Sequence, residues 1–373
     1  MAEQFDTVLV EEVLQLRLDY SQAAVKKFAA VADKSNNGRI RETLQFCGAS
    51  RTGRWAGRGL QLQNLKRPLM DDPDFWADLI ARDPDTAATL LSLEDLGSLV
   101  RSAIKAPDSR KLVVADLSSI EVWVAGWMTG CKAILKAARD GLDPYKVFAS
   151  IWFGVLYEKV TKEQRRLSKP VVLGAQYRMW ADGMRAYAES MGIEMSRDLA
   201  ESAVRAWRMS HPEICKAWRT YETHFRLAIQ NPGSSFGALS QIVFEPPFLR
   251  WRLPSGRTLY YYQPEVSEGQ ISYMGQNSYT GQWERIETHG GKIFENGDQA
   301  ISRDVMVEGL WRYHEAGGTT IGHVHDEIIA EEDEWEADAW LDTLIKCMSA
   351  LVAWAPGLEL GAAGYVANRY RKD

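Results

Sequence analysis

The stretch Val113-Val114-Ala115-Asp116-Leu117-Ser118-Ser119-Ile120-Glu121 decides the fold of this chain. It begins within a short apolar run over residues 111 to 115 that contains β-branched side chains, which predicts a buried strand. A helical pattern follows over residues 119 to 139, so Asp116 stands where the strand ends. An ionised carboxylate there is costly unless a divalent cation pairs with it. The simpler alternative is that Asp116 caps the helix.

A second carboxylate occurs much later in the chain, in His323-Val324-His325-Asp326-Glu327. The surrounding residues 319 to 332 predict a strand, a tight turn and a second strand, with Asp326 in the turn. If this hairpin lies beside the first strand, Asp116 and Asp326 can share two Mg²⁺ ions, as an in-line phosphoryl displacement requires. The alternative is that Asp326 only makes the turn.

A basic segment, Arg165-Arg166-Leu167-Ser168-Lys169, lies between the two carboxylates in sequence. The cations that share one predicted helical face are Lys162, Arg165, Arg166 and Lys169. Leu173 and Tyr177 continue that stripe, so the face runs from cations to a flat apolar surface, which suits a nucleoside triphosphate. A solvated basic face is the alternative. Pro170 should bend the helix or mark a boundary.

Composition indicates an ordinary globular protein. The chain has 373 residues, 46% of them hydrophobic and 25% charged, with a net charge of −6. That charge still allows a local basic groove, since distribution matters more than the sum. The early basic segment contains Arg39, Arg41, Arg51, Arg54, Arg58, Lys66 and Arg67. We find no membrane-spanning run and no signal-peptide pattern, and the four scattered cysteines suit reduced thiols, so we expect a cytoplasmic protein with no membrane partner.

The order of elements favours an α+β fold over a doubly wound sheet. Helical periodicity covers residues 7 to 33, 86 to 105, 119 to 139, 143 to 209, 213 to 229, 297 to 316 and 334 to 354. Residues 231 to 285 are rich in Gly, Pro, Ser and aromatic residues and contain strand-like pieces. Strands and helices are therefore mixed without strict alternation.

At this point the sequence resembles family A DNA polymerases, the DNA polymerase I type that includes phage replicases. The family's D-Y-S-Q-I-E motif matches residues 116 to 121, and its R-x-x-x-K-x-x-x-F/Y-G-x-x-Y motif matches residues 165 to 177. V-H-D-E is intact at residues 324 to 327. T-G-R followed by N-L-Q-N resembles residues 52 to 54 and 61 to 64, and Q-G-T-A-A-D resembles residues 299 to 304. The resemblance covers about residues 10 to 370.

The resemblance implies a right-hand polymerase fold with an antiparallel-sheet palm and helical fingers. The expected divisions are a partial thumb helix at 1–35, the first part of the palm at 36–129, the fingers at 130–230 and the second part of the palm at 231–373. The implied activity is template-directed addition of dNTPs to a primer 3′ end by two-metal-ion phosphoryl transfer, in phage-type DNA replication. A phage-encoded chain would act in the cytoplasm of a bacterial host.

The resemblance also assigns roles to residues. The implied catalytic residues are Asp116, Asp326 and Glu327. Two Mg²⁺ ions would be held by Asp116, Asp326 and the Leu117 carbonyl. The implied dNTP-binding residues are Glu121, Tyr145, Arg165, Lys169, Leu173 and Tyr177, with Glu121 crowding the sugar 2′ position. The implied contacts to primer–template DNA are Arg54, Gln63, Asn64, Gln299, Arg303 and His325.

Departures from the family pattern define the alternatives. Leu173 replaces an aromatic residue and should pack less well on the nucleotide. A short thumb should grip duplex DNA poorly, because affinity comes largely from phosphate contacts, so we expect a second polypeptide to supply a thumb, an exonuclease or a processivity function. The alternatives are a non-catalytic or partner-dependent DNA-binding subunit of a split polymerase, and a single-subunit RNA polymerase. Glu121 argues against the RNA polymerase.

Overall fold

The computed structural model describes residues 23–237, 239, 241–277 and 280–371. The predicted helix over residues 7 to 33 therefore lies in part outside the described residues. Its described part forms a helix, Ala23–Lys34. The predicted α+β class is confirmed, since helices are combined with antiparallel sheets. In the described ranges, no helix combines the length and the apolar character needed to cross a membrane.

The helices are numbered in chain order. They are α1 (Ala23–Lys34), α2 (Pro73–Arg82), α3 (Pro84–Leu90), α4 (Leu93–Ser98), α5 (Ile120–Thr129), α6 (Lys132–Arg139), α7 (Pro144–Phe153), α8 (Lys162–Ala175), α9 (Ala181–Ser190), α10 (Arg197–Ser210), α11 (Pro212–Gln230), α12 (Gly290–Glu315) and α13 (Ala337–Ser349).

The strands follow the same convention. They are β1 (Ser35–Asn36), β2 (Arg39–Ile40), β3 (Leu44–Ala49), β4 (Arg54–Gly57), β5 (Arg110–Leu117), β6 (Ser235–Phe236), β7 (Gln241–Glu245), β8 (Phe248–Arg252), β9 (Thr258–Ser267), β10 (Gln270–Gln276), β11 (Trp283–Thr288), β12 (Thr320–Val324), β13 (Glu327–Asp333) and β14 (Ala362–Ala367).

The predicted buried strand is β5, an interior strand of a four-stranded antiparallel sheet in the order β12-β13-β5-β14. Because successive side chains of a strand point to opposite faces, β5 contributes to two cores. Val113 and Leu117 pack in the larger core, whereas Leu112 and Val114 pack in a smaller one on the other face. Burial on both faces explains why this strand is a continuous apolar run. Because β5 ends at Leu117, the preceding residue Asp116 lies near the end of the sheet.

In chain order, the helices α5 to α11 follow β5 and precede the strands of a second, six-stranded sheet. The predicted helix over 119 to 139 is divided at Gly130, whose φ of 67° is left-handed and suits glycine. Pro170 does not end α8, which continues to Ala175. Val171 and Val172, which follow Pro170, are buried in the core, and this apolar packing outweighs one lost backbone hydrogen bond.

The segment rich in glycine and aromatic residues forms a six-stranded antiparallel sheet in the order β11-β10-β9-β8-β7-β6. This sheet packs against α12 through Trp251, which is fully buried. A Cβ atom at Gly297 of α12 would lie 2.2 Å from the Trp251 ring, so only glycine allows this close approach. The contact fixes the position of the middle of α12, which contributes residues to the site.

Candidate active site

Strand pairing brings the two predicted carboxylates to one end of the four-stranded sheet. Glu327 pairs in register with Asp116, and the Leu117 amide donates a hydrogen bond of 3.0 Å to the Asp326 carbonyl. Since paired Cα atoms lie about 5 Å apart and consecutive ones 3.8 Å, the Asp116 and Asp326 Cα atoms lie within about 10 Å. The hairpin turn formed by His325 and Asp326 therefore meets the end of β5.

A cavity of about 540 Å³ opens at this end of the sheet. The predicted residues that line it are Asp116, Leu117, Glu121, Tyr145, Arg165, Lys169, Leu173, Asp326 and Glu327. Tyr177 reaches the cavity through Glu121, to which its hydroxyl donates at 2.9 Å. Sequence reasoning gave no role to Arg67 or Tyr365, which also line the cavity, although Arg67 belongs to the early basic segment.

The cations across the cavity are arranged around Tyr145. The Arg165 guanidinium lies 5.3 Å from the centre of the Tyr145 ring and the Lys169 ammonium 5.8 Å from it. Arg165 also donates to Asp143 at 2.6 Å, and Asp143 caps the first turn of α7. Burial raises the pKa of the Tyr145 hydroxyl, so it is a neutral group beside these cations. The cavity thus has carboxylates on one side and cations on the other.

Glu121 is held from two directions. Its Oε1 accepts a hydrogen bond of 2.6 Å from Arg54 of β4, and its Oε2 accepts from Tyr177. The Tyr177 hydroxyl also hydrogen-bonds Asp298, a completely buried residue of α12. Sequence reasoning missed Asp298. The sequence around Asp298 carries other polar residues, including Glu295 and Gln299, so it gave no signal that this acid is buried.

Glu327 is held by a structural partner from the last part of the sequence. Its side chain is buried and accepts a hydrogen bond from the hydroxyl of Tyr370, which is also buried. The Arg101 guanidinium covers the Tyr370 ring at 4.8 Å, and burial raises the pKa of this tyrosine. Tyr370 was missed because nothing in the local sequence near the chain end indicates a contact with β13.

A second, narrower cleft adjoins the hairpin turn. The predicted DNA contacts that line it are Arg54, Gln63, Arg303 and His325, alongside Trp55 and His323. The Arg303 guanidinium lies 4.3 Å from the Trp55 ring centre, and the His323 ring packs edge-on against Trp55. Burial, with Arg303 and His325 nearby, lowers the pKa of His323 to about 4, so this ring is neutral at neutral pH.

The remaining predicted DNA contacts lie outside that cleft. Asn64 is exposed, and its side-chain amide donates to Gln61 at 2.7 Å. Gln299 is half-buried on α12, one residue after Asp298. Four of the six residues predicted to contact DNA therefore line this cleft, and Asn64 and Gln299 are not among its lining residues.

The donor set at the end of the four-stranded sheet suits magnesium. The Asp116 carboxylate is half-buried, borders the cavity and makes no side-chain hydrogen bond or ion pair with another described residue. Among the described residues, no three His, Cys, Asp or Glu side chains are grouped to hold a metal. The chain thus offers the two aspartates, and the remaining oxygens would come from substrate phosphates and water, as is usual for Mg²⁺.

Comparisons with known proteins identify the family of this chain. A family model described as DNA polymerase family A matches residues 5–227. The DNA polymerase of Bacillus phage SP02 is 33% identical over 380 residues, which cover 98% of this chain and 58% of that protein. DNA polymerase I of Chloroflexus aurantiacus is 39% identical over 108 residues, or 29% of this chain and 11% of that protein.

A solved structure shows the same fold. It is titled as the POL domain of Pol1 from M. smegmatis in complex with DNA primer-template and dNTP. It superimposes with a TM-score of 0.62 and 18% identity, covering 91% of this chain and 50% of that one. At 18% identity this similarity supports the fold alone. Because the family model spans more than half of the sequence, the chain belongs to DNA polymerase family A.

Proposed function

We propose that this chain is a template-directed DNA polymerase that adds dNTPs to a primer 3′ end. The observation that carries the proposal is one cavity with two aspartates on the palm side and two cations opposite, Arg165 and Lys169. A triphosphate needs this separation, because its phosphates bind cations and its α-phosphate must approach the metal-binding carboxylates. The helical segment at 130–230 is the proposed fingers, and the sheet that carries β5 is the proposed palm.

In the proposed reaction, the primer 3′-hydroxyl attacks the α-phosphate of the dNTP and pyrophosphate leaves. Asp116 and Asp326 would hold two Mg²⁺ ions, with the Leu117 carbonyl assisting. When bound, these ions stabilise the attacking and the leaving oxygen of the displacement. Lys169 and Arg165 hold the triphosphate, while Tyr145 packs between them and supplies a neutral hydroxyl.

Glu121 is the proposed gate for the sugar. Its carboxylate borders the cavity and is fixed by Arg54 and Tyr177, so it cannot swing freely away from an incoming nucleotide. A fixed carboxylate beside C2′ leaves no room for a ribose hydroxyl. This arrangement supports selection of dNTPs and disfavours the alternative of a single-subunit RNA polymerase.

Primer–template DNA is the proposed partner of the second cleft. Arg54, Gln63, Arg303 and His325 surround it, and it adjoins the turn that carries Asp326. Such contacts serve to position the 3′ end with little sequence preference. The alternative of a non-catalytic subunit of a split polymerase is disfavoured, because both aspartates line the cavity.

A primer-extension assay with Mg²⁺ tests the proposal. We expect extension with dNTPs and not with NTPs. Replacing Asp326 with alanine should lower the rate by at least about 100-fold, the scale of a lost charge-stabilising group. The matched control is Asp333→Ala, an exposed aspartate at the far end of β13, the strand that follows Asp326, which should keep the wild-type rate. A wild-type rate in Asp326→Ala would refute the proposed role of the cavity.

The need for a second polypeptide remains a prediction. Light scattering on the protein sample used for the extension assay measures the molar mass of the protein and shows whether it is a monomer. Extension of long products by a monomer that stays bound to its primer would contradict the prediction, whereas short products that lengthen when host extract is added would support it.

A further inference from the structure

One phenol hydroxyl lies between two carboxyl groups beside the nucleotide cavity. The hydroxyl of Tyr177, just after α8, is 2.9 Å from Oε2 of Glu121 and also within hydrogen-bond distance of Oδ2 of Asp298. Arg54 donates to the other oxygen of Glu121 at 2.6 Å. Four separate segments of the protein are therefore joined by one series of hydrogen bonds.

The number of hydrogen-bonding protons available determines the charge of this cluster. A tyrosine hydroxyl donates one hydrogen bond, and an ionised carboxylate only accepts. If Asp298 and Glu121 were both ionised, Tyr177 could satisfy one of them and would leave two oxygens in contact without a proton. One of the two carboxyl groups must therefore carry a proton and donate it to the Tyr177 oxygen.

The proton belongs on Asp298. Its side chain is 0% exposed, and its Oδ1 finds no hydrogen-bond partner in the described part of the chain, which is tolerable for a neutral acid and very costly for an anion. Glu121 and Glu295 add negative charge nearby, Arg54 adds one positive charge, and burial above all raises the pKa of Asp298 well above its usual value.

Glu121, by contrast, is built to be ionised. Its side chain is 24% exposed and is paired with the Arg54 guanidinium, which favours the charged form. The direction of the hydrogen bonds follows: the Asp298 acid donates to the Tyr177 oxygen, and the Tyr177 hydroxyl donates to Glu121. Each of the three hydrogen bonds in the cluster then has one donor and one acceptor.

We infer that Asp298 is a protonated positioning residue that holds Tyr177 on Glu121 and thereby sets how strictly the cavity excludes a ribose 2′-hydroxyl. The inference rests on the proposed function for its consequence, though not for the protonation itself. Without the acid, nothing holds the Tyr177 hydroxyl in place on Glu121, so Arg54 becomes the one firm anchor of that carboxylate. A carboxylate held by one flexible side chain can pivot toward it and leave space beside the sugar.

Infrared difference spectroscopy tests the protonation without requiring any catalysis. The spectrum of the wild type minus that of Asp298→Asn at neutral pH should contain the carbonyl stretch of a protonated carboxylic acid. The matched control is Glu295→Gln, on the same helix and ion-paired to Lys292 at 2.9 Å, which should lack that band. Absence of the band from the Asp298→Asn difference would overturn the inference, whether or not the chain polymerises DNA.

The consequence is tested by the preference for dNTP over NTP, measured both as binding affinity and as kcat/KM. Asp298→Asn keeps a donor, since its amide can donate to Tyr177, and should retain the preference. Asp298→Leu is similar in size and has no donor, so the preference should fall by about tenfold or more, the cost of one lost buried hydrogen bond. An unchanged preference in the leucine variant would overturn the positioning role.

If Asp298→Leu does not fold, Tyr177→Phe removes both hydrogen bonds of the hydroxyl, to Asp298 and to Glu121, while filling the same space. It should show the same fall in the binding preference for dNTP. Wild-type preference in that variant would equally overturn the inference. Because nucleotide binding is measured apart from extension, failure of the proposed polymerase activity and failure of this link are distinguishable.

Discussion

Replacing Asp298 with asparagine should change how stability depends on pH. In the unfolded chain this carboxyl has an ordinary pKa of 3.8, and burial raises the pKa well above that in the folded chain. The folded state therefore binds a proton that the unfolded state has lost, so the free energy of unfolding falls as pH rises. The slope is about 1.4 kcal/mol per pH unit while the folded group stays protonated.

Asparagine has no such proton, so the variant lacks this slope. Above the unfolded pKa, and for as long as the folded acid keeps its proton, the wild type should lose about 1.4 kcal/mol per pH unit relative to Asp298→Asn. Urea unfolding at several pH values measures the difference, and other titrating groups cancel because both proteins share them. A pH-independent gap between Asp298→Asn and the wild type would refute the protonated acid.

Three further substitutions test the other contacts. Tyr370→Phe should lower the free energy of unfolding by about 1–3 kcal/mol, because it leaves a buried Glu327 oxygen without its donor, and urea unfolding measures this. Asp304→Ala should cost about 3–5 kcal/mol in the same assay, because Arg257, which donates to Asp304 at 2.7 Å, would keep a half-buried charge without its anion. Lys169→Ala should raise the KM for dNTP about tenfold in steady-state extension, since one charged contact to the triphosphate is lost.

Each of these substitutions has a matched control. Tyr260→Phe changes an exposed tyrosine, Asp333→Ala changes an exposed aspartate, and Lys162→Ala changes an exposed lysine on the same helix as Lys169. All three controls should stay within about 0.5 kcal/mol of the wild type and keep its KM. Equal losses in a substitution and its control would remove the specific contact as the cause.

The sequence contained the local part of this fold. An apolar run with β-branched residues predicted β5, and a turn between two apolar segments predicted the hairpin that carries Asp326. Both signals depend on neighbours within a few residues. Pro170 shows the limit of such reasoning, because the packing of the valines that follow it keeps α8 continuous.

Contacts between residues far apart in the sequence could not be predicted from these local signals. Tyr177 and Asp298 are 121 positions apart, and Tyr370 and Glu327 are 43 apart. No periodicity or motif specifies such pairs, since their partners are set by how the helices and sheets pack. The sequence of residues 231 to 285 showed only strand-like pieces. How these pieces pair into the six-stranded sheet depends on long-range packing.

The charge state of the cluster could be derived only after its geometry. A sequence shows which side chains can donate or accept, whereas the protonation of Asp298 follows from a count of the donors and acceptors that the fold brings together. The same count connects two predicted roles. Arg54 lines the cleft proposed to bind DNA and also pairs with Glu121, and its planar guanidinium has enough donors to bind a phosphate and a carboxylate at once. Under the proposed function, sugar selection and primer binding therefore share one side chain, so a substitution of Arg54 should weaken both.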